Sequence, residues 1–227
     1  MLMTTIAYRL DKIRTQILQA ESANGRTCGS VRLLAVSKTK PAQDLAAAYS
    51  AGQRHFGESY LQEALCKQRQ LSAFNITWHF IGPIQSNKTR LLAAHFNWVH
   101  SVDRLKIAKR LSAQRPDTLP PLKICLQVNI SAEKSKSGVT LDALPELINA
   151  TRSLPHIQLC GVMAIPAPET DYECQRKPYH LLYNAVKQLN RPELNTFSFG
   201  MSGDVQAAIA EGATIIRVGS AVFGKRS

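Results

Sequence analysis

Eight short apolar runs alternating with helix-like segments predict an α/β fold: a single (β/α)8 TIM-type barrel with an extra N-terminal helix. Three features point to it. The alternation begins near residue 31 and runs unbroken to about residue 224. The runs are rich in Val, Ile, Leu and aromatic residues, as strands buried on both faces must be. The first strand also lacks the glycine-rich turn of an open doubly wound sheet, the main alternative, which would usually have fewer strands.

At 227 residues, 44% hydrophobic, the chain supports one full core. Residues 1–227 are expected to form one domain, with the helix over 1–24 and the barrel over 31–224. The helix should run from about Thr4 to Ala23. Ile6, Leu10, Ile13 and Ile17 recur there at helical spacing, and Asn24-Gly25 stops it. It should cover the bottom or side of the barrel. The first strand, LLAVS, ends abruptly at Ser37-Lys38, and Pro41 is expected in the first turn of the helix PAQDLAAAYSAG. The remaining strands are RHFGES, WHFIG, NWVHSV, LKICLQVNIS, QLCGVMAIP, TFSFGMS and TIIRVGS. The helices between them are YLQEALCKQRQL, SNKTRLLAAHF, DRLKIAKRLSAQ, LDALPELINATRSL, a long one around YHLLYNAVKQLN, and GDVQAAIAEGA.

Composition narrows the function. The 28 Lys+Arg against 16 Asp+Glu give a net charge of +12, which suits an anionic partner. The charges are scattered, with no aromatic-interleaved basic tract, so they read as solvated surface and not as a nucleic-acid face. The five cysteines, Cys28, Cys66, Cys125, Cys160 and Cys174, are odd in number and lack a CxxC pair. That argues against a disulfide framework or zinc site and for a reducing, cytoplasmic setting. All five are expected in the core. Arg9, Asp11 and Lys12 interrupt any N-terminal apolar stretch, and no run is long enough to span a membrane.

In a barrel, the strand ends gather on the face that binds ligands. They would bring together Lys38, the Gly57-Glu58-Ser59-Tyr60 corner, His79, Asn129, Ser131, Met163, Ser202, and Arg217 to Ser220. A lysine at the edge of an apolar interior can be deprotonated by desolvation and form a Schiff base with an aldehyde. Phe199-Gly200-Met201-Ser202-Gly203-Asp204 and Arg217-Val218-Gly219-Ser220 each end a strand and open a helix. Glycines that admit an anion, hydroxyl donors and helix N-termini suit them to a phosphate. Barrels commonly bind phosphate after the seventh and eighth strands. Lysine and phosphate cradle together imply a phosphorylated carbonyl compound: pyridoxal phosphate or an aldolase substrate. Arg217 would either meet a pyridine nitrogen or pack its stem outside the barrel.

Several features are read as structural first. His79 is expected as a hydrogen-bonded structural histidine, with a base as the alternative. Tyr60 should cap the core. Lys134, Lys136, Ser137 and Gly138 form a polar loop, either a basic lid over the phosphate or a solvated segment. No metal-ligand cluster stands out.

The segments RLLAVSKTKP, HFGESYLQEA, WHFIGPIQSNKTR, VNIS to SKSG, GVMAIP and FGMSGDVQAAIAEGATIIRVGSAVFG together resemble the pyridoxal phosphate homeostasis, or YggS, family over nearly the whole chain. The resemblance implies a barrel like the N-terminal domain of bacterial alanine racemases. It implies pyridoxal 5'-phosphate in aldimine linkage to Lys38, phosphate contacts from Ser202, Gly219 and Ser220, and Arg217 as ring-nitrogen partner. Two positions depart from the family pattern. Ser59 stands where FGEN has asparagine near the cofactor, and Gly203 replaces the acid that usually follows GMS. The expected function is a non-catalytic, monomeric carrier that stores and buffers the cofactor and delivers it to apo-enzymes dependent on it. The alternatives are an amino-acid racemase on the same barrel, which would need a second base that the racemases sharing this barrel take, as a tyrosine, from a partner's extra domain, and a Schiff-base aldolase.

Overall fold

The computed structural model describes residues 5–131, 133 and 136–224. Eight parallel strands close into a barrel in sequence order: β1 (Arg32–Val36), β2 (His55–Glu58), β3 (Thr77–Phe80), β4 (Trp98–Val102), β5 (Leu122–Val128), β6 (Ile157–Ala164), β7 (Thr196–Ser198) and β8 (Ile215–Val218). Closure is direct: Ala35 of β1 pairs with Phe56 of β2 on one side and Val218 of β8 on the other. All eight expected strands are present, which is the predicted TIM-type barrel.

The helices are α1 (Ile6–Ala23), α2 (Ala42–Ser50), α3 (Leu61–Gln70), α4 (Thr89–His95), α5 (Leu105–Gln114), α6 (Leu144–Arg152), α7 (Tyr172–Gln188), α8 (Val205–Ala210) and α9 (Ser220–Phe223). Their apolar stripes, among them Leu45, Leu92, Ile107, Leu111 and Leu182, are fully buried against the strands. Two strands approach closely at Gly161, where a Cβ would lie 1.8 Å from the Thr196 carbonyl oxygen. Only glycine fits that junction of β6 and β7.

The extra helix packs on the side of the barrel, against α2, α8 and α9. Thr5 caps it by accepting from the Tyr8 N–H at 3.2 Å. Its Leu10, Ile13 and Ile17 are buried, and so is Glu21. The Glu21 carboxylate accepts from Gly29 N, Ser30 Oγ and Val31 N at 2.9, 3.1 and 2.6 Å, which leads the chain into β1.

Three expectations need correcting. Pro41 is the N-cap of α2, and the helix starts at Ala42. Its ring still presets the entry, since its φ of −69° suits the cap. Tyr60 caps α3 and is 53% exposed, so it does not close the core. Only Cys125 and Cys160 are buried, while Cys28 and Cys66 are exposed and Cys174 is intermediate. A small thiol is accepted at either location.

Candidate cofactor site

Lys38 follows β1 immediately after Ser37 and is half-buried. The backbone on both sides of it is fixed. Ser37 is fully buried; its N–H donates to the Gly57 carbonyl at 2.9 Å and its hydroxyl to Glu58 Oε1 at 2.6 Å. Thr39 has φ +65°, a left-handed conformation unusual for a β-branched residue. Its N–H is held by Glu63 Oε1 at 2.7 Å. Beneath this turn, buried Lys67 donates to the Ser37 carbonyl at 2.7 Å, to Glu58 Oε1 at 2.8 Å and to Glu63 Oε1 at 2.5 Å. Burial raises the Glu58 carboxyl above its ordinary pKa, and bonds to Lys67 and Ser37 pull it back. The sequence reading missed this cluster. Its one visible trace is the Glu63–Lys67 pair at i, i+4 spacing on α3.

The six residues singled out from the sequence share one cavity of about 350 Å³. Lys38, Ser59, Ser202, Arg217, Gly219 and Ser220 all line it, with apolar walls from Val36, Ile81, Ile165 and Met201. Strand ends at opposite ends of the sequence meet here because β1 pairs with β8. The Ser202 and Ser220 hydroxyls converge to 3.5 Å from the turns after β7 and β8. Gly219 lies tight against β1: a Cβ there would sit 3.2 Å from the Val36 carbonyl oxygen. Helices α8 and α9 have only six and four residues, so their dipoles are small. What they offer is hydroxyls and first-turn N–H groups without an intrahelical acceptor. The departure at Gly203 is sterically open, since a Cβ would meet nothing within 4 Å. Ser59 lies at the rim beside Gly82, where a Cβ would meet the Ser59 carbonyl oxygen at 2.2 Å.

Arg217, third residue of β8, points inward: it is 4% exposed and lines the cavity. The reading with its stem outside the barrel is therefore wrong. Both Nη1 donors are used on Ser198, one to its carbonyl and one to its hydroxyl at 3.0 Å, and Nη2 donates to the Ala164 carbonyl at 2.9 Å. Burial lowers its pKa from the ordinary arginine value, while Tyr179, Asp204 and Cys125 act in the opposite direction. A guanidinium stays protonated regardless.

The other candidates lie elsewhere. His79 is fully buried in the interior, bonded to His55 and His100 and stacked on Trp98 with ring centroids 5.5 Å apart. This is the hydrogen-bonded structural histidine that was expected. Met163 is buried beside Trp98, Cys125 and Cys160. Asn129, Lys136 and Ser137 line a neighbouring cavity that shares Ile81 and Ile165 with the first. Ser131 caps the next loop by accepting from Ala167 N at 3.0 Å. Lys134 lies outside the described residues. Among the described residues, no group of three or more His, Cys, Asp or Glu side chains could hold a metal ion. No described helix is long and apolar enough to cross a membrane.

Residues 9–227 match the family described as "Alanine racemase, N-terminal domain". The pyridoxal phosphate homeostasis protein of Pseudomonas aeruginosa is 54% identical over 224 residues, 99% of this chain and 97% of the relative. The protein of the same name from Escherichia coli K12 is 49% identical over 229 residues, 99% and 98% of the two chains. PipY of Synechococcus elongatus, solved with PLP bound, is 37% identical, with a TM-score of 0.84 over 97% of this chain and 100% of its own. By sequence and by fold, this chain belongs to the pyridoxal phosphate homeostasis protein family, built on the barrel of the alanine racemase N-terminal domain.

Proposed function

We propose that this protein binds pyridoxal 5'-phosphate and acts in its homeostasis, holding the reactive aldehyde and releasing it to apo-enzymes that require it. The observation that carries the reading is the gathering of Lys38, Ser59, Ser202, Arg217, Gly219 and Ser220 on one cavity. Those residues fit the cofactor's chemistry. Ser202, Ser220 and the Gly219 turn offer a phosphate cradle, with the missing Cβ of Gly219 leaving the backbone close to β1. Arg217 presents a cation to the ring nitrogen, and Ser59 borders the ring. The bound cofactor supplies an electrophilic aldehyde carbon. Lys38 supplies the amine nitrogen that joins it as a Schiff base, the aldehyde oxygen leaving as water.

The same reading places the protein in the cytoplasm, where its free thiols stay reduced, as a monomeric carrier and not an enzyme. A racemase is the competing reading, favoured by the match to the alanine racemase barrel. The deciding test for the site is borohydride reduction of the protein mixed with pyridoxal phosphate, followed by peptide mass mapping. The pyridoxyl group is expected on Lys38. Finding it only on other lysines would overturn the assignment.

A further inference from the structure

A chain of polar side chains runs through the barrel interior from β2 to Arg217. His55 Nδ1 lies 3.0 Å from His79 Nε2, and His79 Nδ1 lies 2.9 Å from His100 Nε2. His100 Nδ1 lies 2.8 Å from Ser198 Oγ, which accepts from Arg217 Nη1 at 3.0 Å. His79, His100 and Ser198 are fully buried. Polar groups at such depth are retained only when each is satisfied, and these satisfy one another.

Counting donors gives the chain a direction. Arg217 only donates, so Ser198 Oγ must accept from it. The serine hydroxyl has one proton of its own. If His100 donated to Ser198 as well, that proton would have no acceptor among the described residues, which is costly in a buried place. Ser198 therefore donates to His100 Nδ1, His100 Nε2–H to His79 Nδ1, and His79 Nε2–H to His55 Nδ1. Each imidazole is neutral and has one role per nitrogen. Burial and the charges of Arg217, Arg32 and Lys123 favour the same neutral forms.

The chain ends on Arg217, the cavity-lining cation proposed above to meet the ring nitrogen. Three of the five Arg217 N–H donors are engaged by Ser198 and Ala164, leaving Nε–H and one Nη2–H without a hydrogen bond among the described residues. Where those two donors aim depends on the plane of the guanidinium. We propose that Ser198 and His100, backed by His79 and His55, are positioning residues that set the Arg217 plane and hence the donors it presents to the cofactor ring. This rests on the reading that Arg217 meets the ring nitrogen.

A double-mutant cycle tests it, with Arg217→Gln crossed with His100→Phe and with Ser198→Ala. The readouts are the visible band of bound pyridoxal phosphate, its pH profile and the Kd. Each positioning variant should shift band and profile in the same direction as Arg217→Gln and weaken binding about threefold to tenfold, the size of one hydrogen bond. In the Arg217→Gln background neither should have a further effect. His100→Asn keeps an acceptor near the Nδ1 position and should recover most of the shift. Effects that simply add would show a structural role and overturn the inference. So would silent His100→Phe and Ser198→Ala variants beside an active Arg217→Gln. An Arg217→Gln variant with unchanged band and profile would instead sink the ring-nitrogen reading, and the inference with it. If His100→Phe does not fold, Ser198→Ala, which loses a single oxygen, decides the matter alone.

Discussion

The ammonium of Lys67 lies 2.7 Å from the carbonyl oxygen of Ser37, the residue immediately before Lys38. The same ammonium reaches Glu58 and Glu63, and Glu63 holds the N–H of Thr39. The residues on both sides of Lys38 are thus tied to one buried cation. The proposed Schiff-base lysine stands on a turn braced from below, which reduces the conformational freedom lost when a ligand is bound.

Lys67→Met should therefore be costly twice over. It leaves buried Glu58 facing no cation, and Glu58 Oε2 already lacks a partner among the described residues. Breaking a buried pair typically costs about 3–5 kcal/mol. For a chain of this size that is a fall in Tm of roughly 6–20 °C. Cofactor affinity should fall as the Lys38 turn loosens. Adding Glu58→Gln, which removes the stranded charge, should restore part of the stability. A Lys67→Met protein that melts like the parent would refute the bracing role.

The phosphate cradle is tested by subtraction. Ser202 and Ser220 converge from two different βα turns, and hydrogen bonds to a charged group are worth about 1.5–3 kcal/mol each. Replacing both by alanine should weaken pyridoxal phosphate binding by more than tenfold. Binding of unphosphorylated pyridoxal should barely change, because it lacks the group they are proposed to hold. Equal weakening of the two ligands, measured by titration of the visible band, would place the phosphate elsewhere.

Acid stability follows from the interior histidines. Burial, with Arg32 and Lys123 nearby, lowers His55 from 6.5 to about 4. Burial, with Arg217 and Arg32, lowers His100 from 6.5 to about 3. Burial, with His100, His55, Arg32 and Lys123 nearby, lowers His79 as well. Between those values and 6.5 the unfolded chain binds more protons than the folded one, so stability rises with pH across that window. It is complete above pH 6.5 and is lost as pH falls towards 4 and then 3. Urea melts at pH 7.5, 6 and 5 should give steadily lower midpoints. In a His55→Gln variant the dependence should be shallower. A pH-independent midpoint over that range would mean the histidines titrate normally.

The barrel was legible because buried apolar residues recur in every strand run and each helix keeps its stripe, from Leu34 to Val218. The cavity residues were legible because Lys38, Ser202, Gly219 and Ser220 interrupt those runs at strand ends, where a core has no use for them. The supports were not. Glu58, His55, His79, His100 and Ser198 sit inside strands, and only the closed barrel brings them into register with residues far away in sequence. His79 reads as an isolated residue until β2 and β4 place His55 and His100 on either side of it. Lys67 reads as a solvated helix lysine until α3 turns it under the Lys38 loop.

The last prediction concerns catalysis. Racemisation removes a proton from one face of a Cα and returns it from the other, so it needs two placed acid–base groups. Lys38 can serve one face once its amine is free. Among the described residues the cavity lining holds no histidine, tyrosine, cysteine or carboxylate for the other face, and its further amine, Lys40, stands on the same Ser37–Lys40 turn as Lys38. A missing acid–base group is typically worth about 10²–10⁴ in rate. With Arg217 at the ring nitrogen, as proposed, the deficit deepens. A guanidinium at the ring nitrogen opposes its protonation and weakens the ring as an electron sink. Both effects fall on the chemical step and leave binding intact, which is what a carrier requires. Incubating the cofactor-loaded protein with L- and D-amino acids in deuterated water, and following Cα exchange and enantiomer ratio, should show turnover far below that of an ordinary enzyme. A rate on the order of 10 per second, the enzyme median, would make this protein a racemase.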